Sequence, residues 1–275
     1  MSINYAEKYA SKVDERMSLK EMTNIGLNTD YEWDGVNAIN VYNIDTVPLN
    51  DYVMSGDNRY GTPVELGDAT TRYELETDKA FAFTIDERNA KSQNGAKEAG
   101  RALAREIDEV VVPFKDKQRL KVWADTATEN NQVISGTVSK TNAYSLFLDA
   151  QEKLTEEKIP LTNRVFYCNP KYYKFFKQDD AFVKASDMGQ KMLVKGQLGE
   201  VDGIKIIVLP STYFEAGVSG LLVYTKSTVS PSKLKKYTVH KDAPGINGTL
   251  TEGRIMLDTF VLAAKKKGIV AIKEA

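Results

Sequence analysis

Thr71-Arg72-Tyr73-Glu74-Leu75-Glu76-Thr77-Asp78-Lys79-Ala80-Phe81-Ala82-Phe83-Thr84-Ile85-Asp86 is the stretch that decides the fold. Tyr73, Leu75, Phe81, Phe83 and Ile85 share one parity, and charged or small residues hold the other; only Thr77 and Lys79 interrupt the stripe. A two-residue period marks a half-buried strand. At about 3.3 Å per residue the run would extend about 50 Å, against about 17–20 Å for an ordinary strand. A compact globule of this length has a radius of gyration of roughly 19 Å, so such a strand would cross it entirely. Part of the strand is therefore expected to leave the molecule and lie on another. The distal half of the stripe should then be exposed in an isolated subunit.

Working outward, residues 36–49 are β-branched and Asn-rich and predict a strand closed by Pro48. Ser55-Gly56-Asp57-Asn58, Gly61-Thr62-Pro63 and Gly67-Asp68 are turn formers, so 36–86 reads as an extended β-hairpin with an elaborate tip. Two strands alone are marginal in water, which requires a cover. Upstream, Tyr5, Tyr9, Val13 and Met17 form a narrow helical stripe within an arm at 1–35. Downstream, Ala99, Leu103, Ile107, Val110, Phe114, Leu120 and Trp123 predict a long helix over about 94–127. Pro113 removes one bond inside it, so a kink or a break into two helices is expected there.

Shorter elements follow: a helix at 141–158, a strand at 164–168, and a helix opened by Asn169-Pro170 and running to about Gln178. Strands are predicted at 204–209, 220–225, 235–240, 253–264 and 268–272. The expected organisation is an arm (1–35), a hairpin loop (36–90), a helix-bearing domain (91–135 and 236–275) and a compact α/β domain (136–235). The last forty residues are expected to pack beside the long helix.

Hydrophobic residues at 42% and charged residues at 27% are those of an ordinary globular chain. No run reaches the roughly 18 apolar residues of a membrane span, and no secretory pattern opens the chain. The net charge of −1 conceals an acidic front, with 17 Asp/Glu against 8 Lys/Arg in 1–90, and a basic back, with 10 Lys/Arg against 4 Asp/Glu in 216–275. Such halves attract one another between copies of one chain.

Catalytic chemistry finds little support. His240 is the sole histidine and Cys168 the sole cysteine, which excludes two-histidine metal sites and internal disulfides. Ser230-Pro231-Ser232-Lys233 has Ser-x-x-Lys spacing without its companion motifs, and Gly196, Gly199 and Gly203 precede a strand instead of opening a helix. Lys265-Lys266-Lys267 reads as a solvated turn or a phosphate-facing patch. No enzyme activity, catalytic residue, metal or cofactor is expected.

The order of elements, together with Asp45-Thr46-Val47-Pro48-Leu49-Asn50-Asp51-Tyr52, Arg59-Tyr60-Gly61-Thr62-Pro63, Glu65-Leu66-Gly67-Asp68, Ile107 to Pro113, Gly199-Glu200-Val201-Asp202-Gly203, and Ala243 to Gly248 with Glu252-Gly253-Arg254, resembles the major capsid protein of tailed bacteriophages of Gram-positive hosts. The resemblance implies an α+β fold with an N-arm, an extended loop, a spine helix, a peripheral domain and an axial domain. It implies pentamers and hexamers closing an icosahedral virion shell around double-stranded DNA, bound without sequence specificity. Assembly would occur in the host cytoplasm, away from membranes, with a scaffolding protein, a portal and a maturation protease as partners. Scaffold would be separate, absent or already cleaved. No Lys–Asn cross-linking pair can be matched, so none is expected. Tyr73, Leu75, Phe81, Phe83, Arg59, Tyr60, Lys265 and Lys266 are the inter-subunit contact candidates, and Pro113 is the hinge candidate for shell expansion. A bacterial encapsulin shell is the same-fold alternative, and a small α/β enzyme built on 136–235 is the alternative of another class.

Overall fold

Asn169-Pro170 acts as its residue types dictate. Asn169 Oδ1 accepts a hydrogen bond from the Tyr172 amide at 2.7 Å, and Pro170 opens the helix. The computed structural model describes residues 21–31, 38–87, 99–179, 182, 199–241, 244–245 and 247–274. These fall into two compact units, one from Met1–Tyr31 with Glu76–Ala275 and the other from Glu32–Leu75. The helical stripe expected at Tyr5 to Met17 lies outside the described residues.

The larger unit is built on a six-stranded sheet. Its strands are β4 (Val133–Ser135), β5 (Arg164–Cys168), β6 (Glu200–Val201), β7 (Ile204–Val208), β8 (Val218–Tyr224) and β13 (Ile269–Lys273), in the order β4-β13-β8-β5-β7-β6. Apolar residues occupy both parities of β5, β8 and β13 because both faces are covered. Phe166, Leu222, Val270 and Ile272 face the helices α3 (Ala143–Glu156) and α4 (Pro170–Gln178), where they join Phe147, Leu154, Tyr172 and Phe176. Val165, Tyr167, Leu221, Val223, Ile269 and Ala271 form the second core with Leu120, Trp123 and Ala127 of α2 (Val112–Glu129).

The long helix survives its proline. α1 (Ala99–Glu106) passes through a π-helical turn (Ile107–Val111) into α2, and the Val112 amide donates to the Ile107 carbonyl five residues back. Pro113 has no N–H for the Glu109 carbonyl, and its ring crowds that oxygen. One wider turn relieves both conflicts without ending the helix.

A second, three-stranded sheet holds β10 (Ser232–Lys241), β11 (Gly248–Leu257) and β3 (Thr77–Asp86), in the order β10-β11-β3. On its covered face the Phe81 ring lies over Gly253, the residue opposite it; a Cβ at Gly253 would sit 2.2 Å from Phe81 Cζ. β9 (Thr228–Val229) and β12 (Phe260–Val261) form a short pair.

The smaller unit is an antiparallel ribbon of β1 (Ala38–Ile44) and β2 (Asp68–Glu74), joined by residues 45–67.

Two expectations need correction. Residues 71–86 are two strands, not one: β2 ends at Glu74 and pairs with β1, whereas β3 begins at Thr77 and pairs with β11. The alternation continues through the break because Tyr73 and Leu75 before it and Phe81, Phe83 and Ile85 after it keep the less exposed parity, and only the partner changes. The strand expected over 253–264 ends at Leu257, with β12 following. β13 lies inside the six-stranded sheet, between β4 and β8, and its Ile269 and Ala271 pack against Leu120, Trp123 and Ala127 of α2, beside the long helix as expected of the last forty residues.

Candidate assembly surfaces

Residues 45–67 have a local order of their own. The Asp45 amide donates to the Gly67 carbonyl at 3.0 Å, closing the loop at its base. Farther out, Val53 N donates to Arg59 O at 3.1 Å, Gly61 N donates to Asn58 O at 2.8 Å, and Arg59 Nε donates to Gly56 O at 3.2 Å. Gly61 is required where it stands: its φ is 84°, and a Cβ would fall 2.5 Å from the Asn50 side chain. The rings of Tyr52 and Tyr60 meet edge to face at 5.1 Å.

This internal order buries almost nothing. Of the sixteen large apolar side chains left exposed among the described residues, ten lie between Tyr42 and Leu66, including Leu49 at 101%, Met54 at 86% and Tyr60 at 84% relative exposure. A patch so concentrated on one short segment is a candidate interaction surface. Residues 38–74 are acidic: Asp45, Asp51, Asp57, Glu65, Asp68 and Glu74 stand against Arg59 and Arg72.

The contact candidates divide on this evidence of exposure. Arg59 and Tyr60 are exposed at the tip. Tyr73, Phe81 and Phe83 are half-buried, and Leu75 retains only 7% exposure within the single chain. Phe81 and Phe83 stack at 6.5 Å, and Lys79 Nζ sits 5.8 Å from the centre of the Phe114 ring. The stripe is thus largely covered by its own chain, and the uncovered apolar surface lies at 42–66 instead. Its signal in the sequence was Tyr42, Ile44, Val47, Leu49, Val53 and Met54 among turn formers that build no core.

Lys265 Nζ donates to the Lys226 carbonyl at 3.1 Å and Lys267 pairs with Glu157 at 2.9 Å, whereas Lys266 projects from the same turn. Pro113 is half-buried beside the π turn.

Residues 21–31 pack on the rest of the larger unit, and nothing in their sequence marks individual roles. Arg119 Nη1 donates to Glu21 Oε1 at 2.6 Å and to Thr23 Oγ1 at 2.9 Å, and the Thr23 hydroxyl donates to Asp116. Asn28 N donates to Thr228 O at 2.7 Å, and Lys226 pairs with Asp30 at 2.7 Å. At Gly26 the backbone passes so close to Tyr167 that a Cβ would lie 2.6 Å from its hydroxyl.

The residues weighed for chemistry are occupied structurally. Burial raises the Cys168 thiol far above its usual pKa. Ser230 Oγ accepts from Arg119 Nε at 2.9 Å, and His240 lies 3.5 Å from Glu252 across the sheet. Among the described residues no group of three His, Cys, Asp or Glu side chains is placed to hold a metal, and no helix is long and apolar enough to cross a membrane.

No protein-family model and no curated protein sequence matches the chain. Solved structures do. A chain of the capsid structure of cyanophage P-SCSP1u superposes with a TM-score of 0.76 at 14% identity, covering 98% of this chain and 93% of that one. The fold is that of a phage capsid chain. A chain of Mycobacterium phage Che8 is similar at a TM-score of 0.73 and 14% identity, over 99% of this chain and 98% of that one. A chain of the mature capsid of bacteriophage PhiM1 gives 0.66 and 12%, over 99% and 92%. The phage-capsid fold thus spans both units, including the ribbon with its exposed loop.

Proposed function

We propose that the chain is the structural subunit of an icosahedral phage capsid, self-assembling through pentamers and hexamers around double-stranded DNA. One observation carries the reading: a ribbon with its own internal order presents ten large apolar side chains that its own chain leaves uncovered. Burial of apolar surface is worth about 25 cal/mol per Å², so such a surface favours a partner. In a repeated, head-to-tail arrangement the partner is the next copy, and rotation closes a ring. The acidic loop would meet the basic residues of the 216–275 segment of that copy.

In this reading residues 1–35 are the N-arm, 36–90 the extended loop, 91–135 and 236–275 the peripheral domain, and 136–235 the axial domain. Tyr60, Arg59 and Lys266 are contact residues, and Pro113 with its π turn is the place where the spine helix yields. The virion is the site of action, DNA is held by charge without sequence preference, and scaffolding protein, portal and maturation protease are the assembly partners. The role is mechanical and requires no catalysis.

Negative-stain microscopy of the purified chain tests this. Shells or capsomer rings are expected, and they should be lost in the double variant Leu49→Ser, Tyr60→Ser. A chain that stays monomeric at high concentration, in the presence and absence of a scaffolding protein, would overturn it.

A further inference from the structure

Two junctions lie within the larger unit: residues 21–23, and Glu76–Thr77, where the chain passes from the ribbon into β3. Both junctions reach the same turn of α2. At the first, the Met22 and Thr23 amides each donate to Asp116 at 3.4 Å, and Arg119 Nη1 holds Glu21 and Thr23. At the second, the Glu76 amide donates to Asp258 Oδ2 at 3.3 Å, while Gln118 Nε2 donates to Thr77 Oγ1 and to Asp258 Oδ1, both at 3.3 Å. Ser230 joins the two ends. Its hydroxyl accepts from Arg119 Nε at 2.9 Å and donates to the Asp258 carbonyl at 3.2 Å.

We propose that Asp116, Gln118 and Arg119 on α2, with Ser230 and Asp258, form a tie that couples the root of the N-terminal segment to the root of the ribbon. Asp116 and Arg119 are almost fully buried, so these bonds form away from competing water and their loss leaves groups unsatisfied. Gln118 Oε1 is buried with no donor facing it, so the Gln118 amide is held from one end only. A group fixed in this way shifts readily when either root moves, and the shift passes to Asp258. Ser230, which drew notice for its Ser-x-x-Lys spacing, is here the relay between Arg119 and Asp258. Resting on the capsid reading, the tie makes the segment at 21–28 and the base of the loop through which a subunit would grip its neighbour respond together.

Hydrogen exchange on the unassembled full-length chain tests the coupling without requiring a shell, so its outcome is separate from that of the microscopy. Thr23→Val removes the hydroxyl shared by Arg119 and Asp116; Thr77→Val removes the hydroxyl that receives Gln118. Thr23→Val is expected to accelerate exchange at 76–80 more than about twofold, beyond the scatter of independent sites, and Thr77→Val is expected to do the same at 22–27. Ser230→Ala should abolish both remote effects while leaving the local ones. Amides of β5 serve as the folding control. If either threonine variant loses β5 protection, Ser230→Ala alone decides, because cutting the relay should loosen both roots at once. Exchange that changes only at the substituted root, or a remote effect that persists in Ser230→Ala, overturns the proposal.

Discussion

β5 and β2 are both short strands, and they differ in what lies over them. All five residues of β5 are buried, between α2 on one face and α3 with α4 on the other. No residue of β2 is buried, and its neighbours from Tyr42 to Leu66 include most of the exposed apolar surface. The first strand is completed by its own chain. The second has turns, a closed base and an aromatic pair, yet no core. Shape and stability are therefore separable in this molecule: local hydrogen bonds define the loop, and only a further surface can make it energetically worthwhile.

The largest effect that would sharpen this contrast is Phe147→Ala. Phe147 is fully buried and meets Phe166 at 5.1 Å and Phe176 at 5.5 Å, both edge to face. Its truncation is expected to cost about 3–5 kcal/mol in urea denaturation. A loss below about 1 kcal/mol would mean that the six-stranded sheet does not depend on this packing.

Gly26→Ala comes next. The new methyl would press on the Tyr167 hydroxyl and on Trp123, 3.1 Å away, with an expected cost of about 1–3 kcal/mol. Thermal unfolding measures the cost, and limited proteolysis near 21–31 should show the segment released.

Asp116→Asn acts through pH and is smaller. Burial is the largest influence on Asp116 and raises its pKa above the ordinary 3.8, against the hydrogen bonds from Thr23 and Met22 and the charge of Arg119. The ionised group therefore costs stability at neutral pH. The cost is complete above the folded-state pKa and is relieved as pH falls from there towards the unfolded value, because the folded chain takes up the proton first. Relative to the parent, the variant should gain most near pH 7 and least near pH 4. A difference that grows on acidification, in denaturation curves at those two values, would contradict the dominance of burial.

The smallest effect on stability belongs to the loop. Leu49→Ser with Tyr60→Ser should leave the unfolding free energy of the isolated chain within about 0.5 kcal/mol, since both side chains already face solvent. A large destabilisation would show the loop to be self-sufficient after all.

Local signals in the sequence served well where the structure is decided locally. Asn169-Pro170 announced the start of α4, and β5 and β7 fall within a residue of their expected ends. Pro113 announced a disturbed helix, although nothing nearby distinguishes a π turn from a kink. What escaped was pairing. Nothing in 71–86 tells Glu74 to pair with Ala38 and Thr77 with Leu257, because either partner covers the same parity. β13 had a usable sign: Ile269-Val270-Ala271-Ile272 is apolar on both parities, the pattern of a strand covered on both faces. Of the contact candidates, Arg59 and Tyr60, chosen by their place in the tip, are exposed, while Leu75, chosen by parity, is buried within the chain. Thr23, Asp116 and Arg119 gave no sign, since a buried polar cluster assembled from distant segments leaves no spacing to read.

The burial of Cys168 has a practical consequence. Its thiol sits at 1% exposure with a strongly raised pKa, so under native conditions it does not compete for thiol reagents. A cysteine introduced at Leu49 would be the one thiol at the surface. A fluorophore attached there would report, in real time and without any background substitution, whether the loop stands in water or against another molecule.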